Sequence, residues 1–293
     1  MIDFIAAAPR TIADQVHDAF PFTVEKYRLS GPDNMRTDWY GLFRSDTMRP
    51  IGSGSVSSRY VPHTVDDVAV LIHAASDAFG GELEMTTRFT DGHHVILQPS
   101  KEDRIAIYGT KDNIFPRVIV HAGYGGKAFQ ASLGMYRDAC RNLMRFQSLS
   151  ACSASIRHTK GMESKIDDIT DSFRQLRLSW RTVADLVLKM ESTTTNLAEF
   201  LDRVYEEQET KRDHKRNGEI LSRLITERRG TDRPYLGSSR IVSVWEAFNA
   251  IQGHIQHGTR RKGENSDPLN RALLALDDPT VKRAEVAALS LIA

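Results

Sequence analysis

The spacing of apolar residues changes once along this chain, near residue 160, and that change limits the folds available to it. Before it, Leu83, Met85, Thr87 and Phe89 alternate with Glu82, Glu84, Thr86 and Arg88, the period of two of a half-buried strand. Asp91-Gly92 then marks a tight turn, with His93–Gln98 as the return strand. After it, Ile166, Ile169, Phe173, Leu176, Trp180, Val183, Leu186 and Met190 recur every three or four residues, the signature of a long amphipathic helix. A sheet-forming half is therefore followed by a helical half.

Smaller signals fill in both halves. Ile5, Ile12, Val16 and Phe20 can line a short helix, although Pro9, Pro21 and Pro32 interrupt any long element. Trp39–Arg44 and Gly54–Tyr60 read as strands, and Thr64 caps a helix whose apolar face is Val65, Val68, Leu71, Ile72, Ala75 and Phe79. Gly80-Gly81 stops that helix. Ile105–Tyr108, Val118–Ala122 and Phe129–Tyr136 read as further strands, with Asp138–Arg145 a short helix or turn. Downstream, helices are expected over Leu197–Tyr205 (started by Thr194 or Thr195), around Ile220–Leu224 (ended by Gly230) and over Val242–His257, with one or two short ones within 270–292. The expected class is α+β: an antiparallel sheet with hairpins and packed helices in the N-terminal half and a mostly α-helical C-terminal half. The expected domains are 1–160, taken as nucleic-acid-binding, and 161–293, helical.

The overall charge of +1 excludes a chain that is basic throughout, but local patches rather than totals set the field a ligand meets. Lys127–Lys160 contains Lys127, Arg137, Arg141, Arg145, Arg157 and Lys160 against the single acid Asp138. If a helical turn carries Arg141 and Arg145, their spacing of four puts both on one face. With His158, Arg59, Tyr60 and Tyr124 this stretch forms the candidate nucleic-acid surface: guanidinium groups grip phosphates and the tyrosines stack on bases. A solvated face of scattered ion pairs is the alternative for the same residues. A second basic run, Lys211 to Arg240, reads as a charged helix exterior or a second such surface.

Other chemistries find less support. Gly123-Tyr124-Gly125-Gly126-Lys127 is followed by Ala128, not the Ser/Thr that a phosphate-binding loop uses to hold magnesium. Cys140, Cys152 and His158 lack the spacing and the fourth ligand of a zinc site. His93 and His94 are neighbours on a strand and point to opposite faces; His254 and His257 can share a helix face, but no third ligand is adjacent. No catalytic residues, metal or cofactor are expected. The two cysteines suit a reducing compartment, and no run reaches the roughly 20 apolar residues of a membrane span, so a cytoplasmic protein is expected.

Arg137-x-x-Cys140-x-Asn142 and Ile156-Arg157-His158-Thr159 resemble motifs of the phage- and plasmid-related proteins grouped as domain of unknown function 932. So do Phe43-Arg44-Ser45-Asp46, Val56-Ser57-Ser58-Arg59-Tyr60, and Phe248-Asn249-Ala250-Ile251 with His257. The matches run in the family's order over about residues 40 to 260, departing at Asp138-Ala139 and Leu143-Met144. The layout is also similar in outline to the single-strand annealing recombinases, which bind single-stranded DNA in a basic groove and assemble as rings or filaments. That similarity implies a single-stranded DNA-binding, strand-annealing or recombination-accessory protein of a phage or other mobile element, working as a homo-oligomer without a cofactor. Two alternatives remain: a protein-interaction factor that inhibits a host system without touching DNA, and an enzyme acting on nucleic acid through Cys140 or His158.

Overall fold

The computed structural model describes residues 11–52, 54–79, 84–99, 103–125, 129–156, 166–206, 210–258 and 267–293. It is α+β, with antiparallel sheets concentrated in the N-terminal half and helices in the C-terminal half. Two compact units form, and neither is continuous in sequence. Unit 1 comprises Met1–Ile96, Ile119–Ala131 and Ser155–Arg174; unit 2 comprises Leu97–Val118, Ser132–Ala154 and Gln175–Ala293. The sequence suggests a single boundary at residue 160, whereas these boundaries fall inside strands and inside the long helix.

In unit 1, α1 (Ile12–Ala19) begins at a reciprocal cap in which Thr11 and Asp14 bond each other's backbone N–H. Strands β1 (Val24–Ser30), β2 (Arg36–Arg44) and β3 (Val56–Ser57) form a three-stranded antiparallel sheet. β1 carries no clean alternation, because Lys26 and Arg28 lie on the same face as Val24, so the sequence alone does not reveal it. Thr64 caps α2 (Val65–Phe79) together with Asp67, and Val68, Leu71, Ile72 and Ala75 are buried along its inner face, with α1 packed against the helix. Gly80-Gly81 lies outside the described residues.

The second sheet has seven strands. Its order is β10 (Ser153–Ile156), β8 (Phe129–Arg137), β7 (Asp112–Gly123), β5 (Gly92–Gln98), β4 (Glu84–Phe89), with β6 (Ile105–Tyr108) paired to β7 and β9 (Asn142–Arg145) paired to β8. The segment 138–145 is not helical. Residues 138–141 make a tight turn, with Arg141 at φ 57°, and β9 then pairs back on β8 from Arg137↔Asn142 to Gly134↔Arg145. A helix is refused because Leu143 and Met144 are both buried in the returning strand. Arg141 and Arg145 therefore share no helical face.

The helices follow. α3 (Ile166–Ser192) buries Ile169, Phe173, Leu176, Val183, Val187 and Met190. β11 (Thr194–Asn196) pairs with β12 (Ile241–Ser243), so Asn196, rather than a threonine, caps α4 (Leu197–Tyr205). α5 (Lys211–Arg229) starts at the Thr210–Asp213 cap and ends at Gly230. α6 (Val244–Gly253) is buried on every side and passes into a π turn (His254–Gly258); α7 (Pro268–Leu276) and α8 (Pro279–Ile292) complete unit 2. Among the described residues no helix is long and apolar enough to cross a membrane.

Candidate functional site

In unit 2, β8 delivers Arg137 into the interior, where its side chain is 2% exposed. It donates Nε–H and Nη2–H to Asp112 at 2.7 and 2.8 Å and Nη1–H to Glu227 at 3.1 Å. Asp112 also accepts from Arg233 Nη2 at 3.0 Å, and Arg233 donates to Glu191 as well. Glu246 of α6 takes a fork from Arg228 at 2.6 and 2.7 Å. Each buried charge thus faces an opposite one, the condition under which charges tolerate burial. Burial works against ionisation of Asp112, yet the two guanidinium groups outweigh it and hold the carboxyl below its usual range. Burial pushes the Glu227 carboxyl up against the pull of Arg137 and Arg223. The network fastens β7 and β8 to α3, α5 and α6.

Beside it, α6 and the π turn close the free edge of β9. Leu143 N–H donates to Gln256 Oε1 at 3.2 Å, Gln252 Nε2 donates to Leu143 O at 3.1 Å, and Asn142 Nδ2 donates to Asn249 O at 3.3 Å. His257 Nε2 and Asn142 Oδ1 lie 3.0 Å apart. Strand edges left bare are sticky; here side-chain amides spaced three and four apart on one helix substitute for a partner strand. The Arg137, Cys140, Asn142, Asn249 and His257 of the sequence motifs are all components of this join.

Among the described residues Cys140 has no proton-accepting partner. Its Sγ lies 3.8 Å from Arg137 Nη1 and 4.0 Å from Asn249 Oδ1, neither of which takes a proton, and burial pushes the thiol up to about 12. It remains a protonated thiol, a weak nucleophile.

The surface around this join is cationic. Arg141 is exposed at the tip of the β8–β9 turn. Burial lowers the pKa of His254; Glu219 works the other way, and Arg223 and Arg216 push it further down. His257 is lowered to about 4, by burial first and then by Arg223 and Arg271. Burial is the main cause of both shifts; the arginines add to it, and at His254 Glu219 opposes them.

The structure scatters the residues that sequence grouped as one basic surface. Arg137 is an interior ion-pair residue, not a phosphate-facing one, because its donors are spent on Asp112 and Glu227. Arg145 is bonded to Asp277 and Ser132. Tyr124 is buried, its ring stacked on His63 at 4.0 Å, and so is shut off from any base; Tyr60 is partly buried and its hydroxyl accepts from Gly125 N–H at 3.2 Å. Arg59 and Arg141 are exposed. Lys127, Arg157, His158 and Lys160 lie outside the described residues. The sequence placed Arg223 and Arg233 only in the second basic run and missed Asp112, Glu246 and Arg271. One signal was available: Asn249, Gln252 and Gln256 recur at helical spacing within an otherwise apolar helix, which marks a buried polar seam.

No curated protein and no solved structure matches the chain. A family model does match, over residues 53–275, which takes in the whole buried network and its motif residues. The chain belongs to the family defined by a domain of unknown function, DUF932.

Proposed function

We propose that the protein binds single-stranded DNA on the cationic rim of unit 2 and serves strand annealing or recombination for a phage or other mobile element, in the cytoplasm and without a cofactor. The observation that carries this is the set of cations around the π turn: Arg141 is exposed on the neighbouring turn, and Arg223 and Arg271 act on His257, whose pKa burial lowers first, although Arg223 also pairs with Glu227 at 3.0 Å. Phosphates complement such cations, and annealing needs neutralised, extended strands rather than acid–base chemistry. Tyr235, 75% exposed, is the ring in unit 2 most open to stacking on a base. The resemblance to annealing recombinases supplies the biological role. Fluorescence anisotropy with a labelled single-stranded oligonucleotide tests it. At low salt the wild type should bind, and Arg141→Glu with Arg271→Glu should weaken binding at least about tenfold, the range expected for reversing two phosphate contacts. Equal binding by both proteins would refute the placement.

The same reading calls for a self-association surface, and the three-stranded sheet of unit 1 offers one. Tyr27 lies opposite Gly41, Glu25 opposite Phe43 and Trp39 opposite Ser57, so these residues share the sheet's outer face, since directly opposed residues point the same way. Trp39 is 56% and Tyr27 42% exposed. The cations Lys26 and Arg28 lie over Tyr40 on the opposite face. An aromatic, cation-free face suits a protein surface better than a phosphate backbone. Its occupant here is a second copy of the chain, because a protein that lines up along a DNA strand must self-assemble. Light scattering should show an oligomer that Trp39→Glu reduces to monomer; an unchanged mass would exclude this face as the contact.

A further inference from the structure

His94 and His121 lie in unit 1 on the neighbouring strands β5 and β7, and their rings stack with centroids 4.1 Å apart and planes within 6°. Asp91, at the tip of the β4–β5 turn, places Oδ1 3.5 Å from His94 Nε2 and 3.5 Å from His121 Nε2. That spacing is longer than an N–H···O hydrogen bond, about 2.7–3.2 Å. It matches the edge of a tetrahedron whose corners lie about 2.1 Å from a central ion, about 3.4 Å. His121 Nε2 is closed to solvent and makes no hydrogen bond. All three donor atoms fall within 4.8 Å of one another.

We propose that Asp91, His94 and His121 form a three-ligand site for a first-row divalent transition ion of the zinc type. Two imidazoles and one carboxylate are a donor set that zinc accepts, with the fourth position left to water. The site is built into the sheet. Asp91 reaches β7 because Gly92 follows it: a Cβ at Gly92 would come within 2.4 Å of Ala122 O, so only glycine lets the turn approach this closely. Thr90 Oγ1 donates to Asp91 Oδ1 at 3.1 Å and holds the carboxylate. With its proton donated to Asp91, Thr90 Oγ1 accepts from His94 Nε2–H at 2.9 Å; an ion binds the other tautomer, with the ring proton on Nδ1, and displaces this contact. Because parallel rings share no plane, one imidazole turns about its Cβ–Cγ bond when the ion binds, a torsion with a broad minimum. The bound ion pins the hairpin turn to β7. The nucleic-acid rim belongs to unit 2, so the site stands or falls independently of that reading.

The test is equilibrium dialysis and isothermal titration of the metal-free full chain with ZnCl2, with Co2+ as a spectroscopic probe. The expected result is one Zn2+ per chain, a higher melting temperature at saturating zinc, and visible d–d bands of low-symmetry, tetrahedral-type Co2+. His121→Ala and Asp91→Asn should each weaken Zn2+ at least about 100-fold, since even outer-shell partners of a metal cost about 10–100-fold when lost. Asp91 is at an exposed turn, so Asp91→Asn keeps the test valid should His121→Ala fail to fold. Absence of stoichiometric binding, or binding that both variants leave unchanged, overturns the proposal.

Discussion

Arg137 shows how a residue's chemistry is set by where its strand ends. In sequence it is one of six cations in a basic stretch; in the fold it is the centre of a closed set of four arginines and four carboxylates. Arg137→Ala leaves buried Asp112 with Arg233 alone and Glu227 with Arg223 alone, and urea unfolding should show a loss of up to about 3–5 kcal/mol, the cost of removing one partner of a buried pair. A surface arginine would cost almost nothing. His257 gives a pH signature. Its folded pKa of about 4 lies below the ordinary histidine value near 6.5. Between those two values the unfolded chain takes up a proton that the folded chain refuses, so stability falls as pH falls through that window. His257→Gln should flatten that part of the stability–pH curve, measured by urea midpoint from pH 7 to pH 4. Neither behaviour was legible in the sequence, because which cation is buried depends on partners 25 and 90 residues away.

At the scale of elements, the long strands and helices were legible where one face is buried and the other wet. β4, α2 and α3 show the expected periods because their burial is one-sided. β1 escaped notice because Val24 and Leu29 sit among polar and aromatic residues on both of its faces; α6 was expected within Val242–His257, but its burial all round left no wet face to reveal its polar seam. The strand β9 that follows the turn at 138–141 escaped because the buried pair Leu143-Met144 fits a helix or a strand equally well in sequence. Glycines separate tight elements from loose ones. Gly92→Ala drives a methyl group to 2.4 Å from Ala122 O, a backbone atom that no rotamer can move, and should cost about 1–3 kcal/mol or more by thermal melting. Gly218→Ala, in the exposed interior of α5 with nothing within 4 Å, should instead gain about 0.5–1 kcal/mol. Equal effects at the two sites would contradict the packing described.

For the whole molecule, a chain with net charge +1 can still hold a polyanion if its cations are spent unequally. Arg137, Arg223, Arg228 and Arg233 neutralise interior acids, while Arg141 is exposed near the π turn and Arg271 acts on His257. The family match covers both the interior network and this rim, and the interior network is what positions the rim: it anchors β8, α5 and α6, from which Arg141, Arg223 and the π turn project. The most direct measurement is the affinity for a single-stranded oligonucleotide across a salt series, for the wild type and for Arg141→Glu. If about three or four cations meet phosphates, log K should fall against log salt with a slope of about −2 to −3, since each contact on a single strand contributes about −0.7, and Arg141→Glu should make it shallower by at least one contact's worth. Affinity that is absent at low salt, or a slope that Arg141→Glu leaves untouched, would contradict the account.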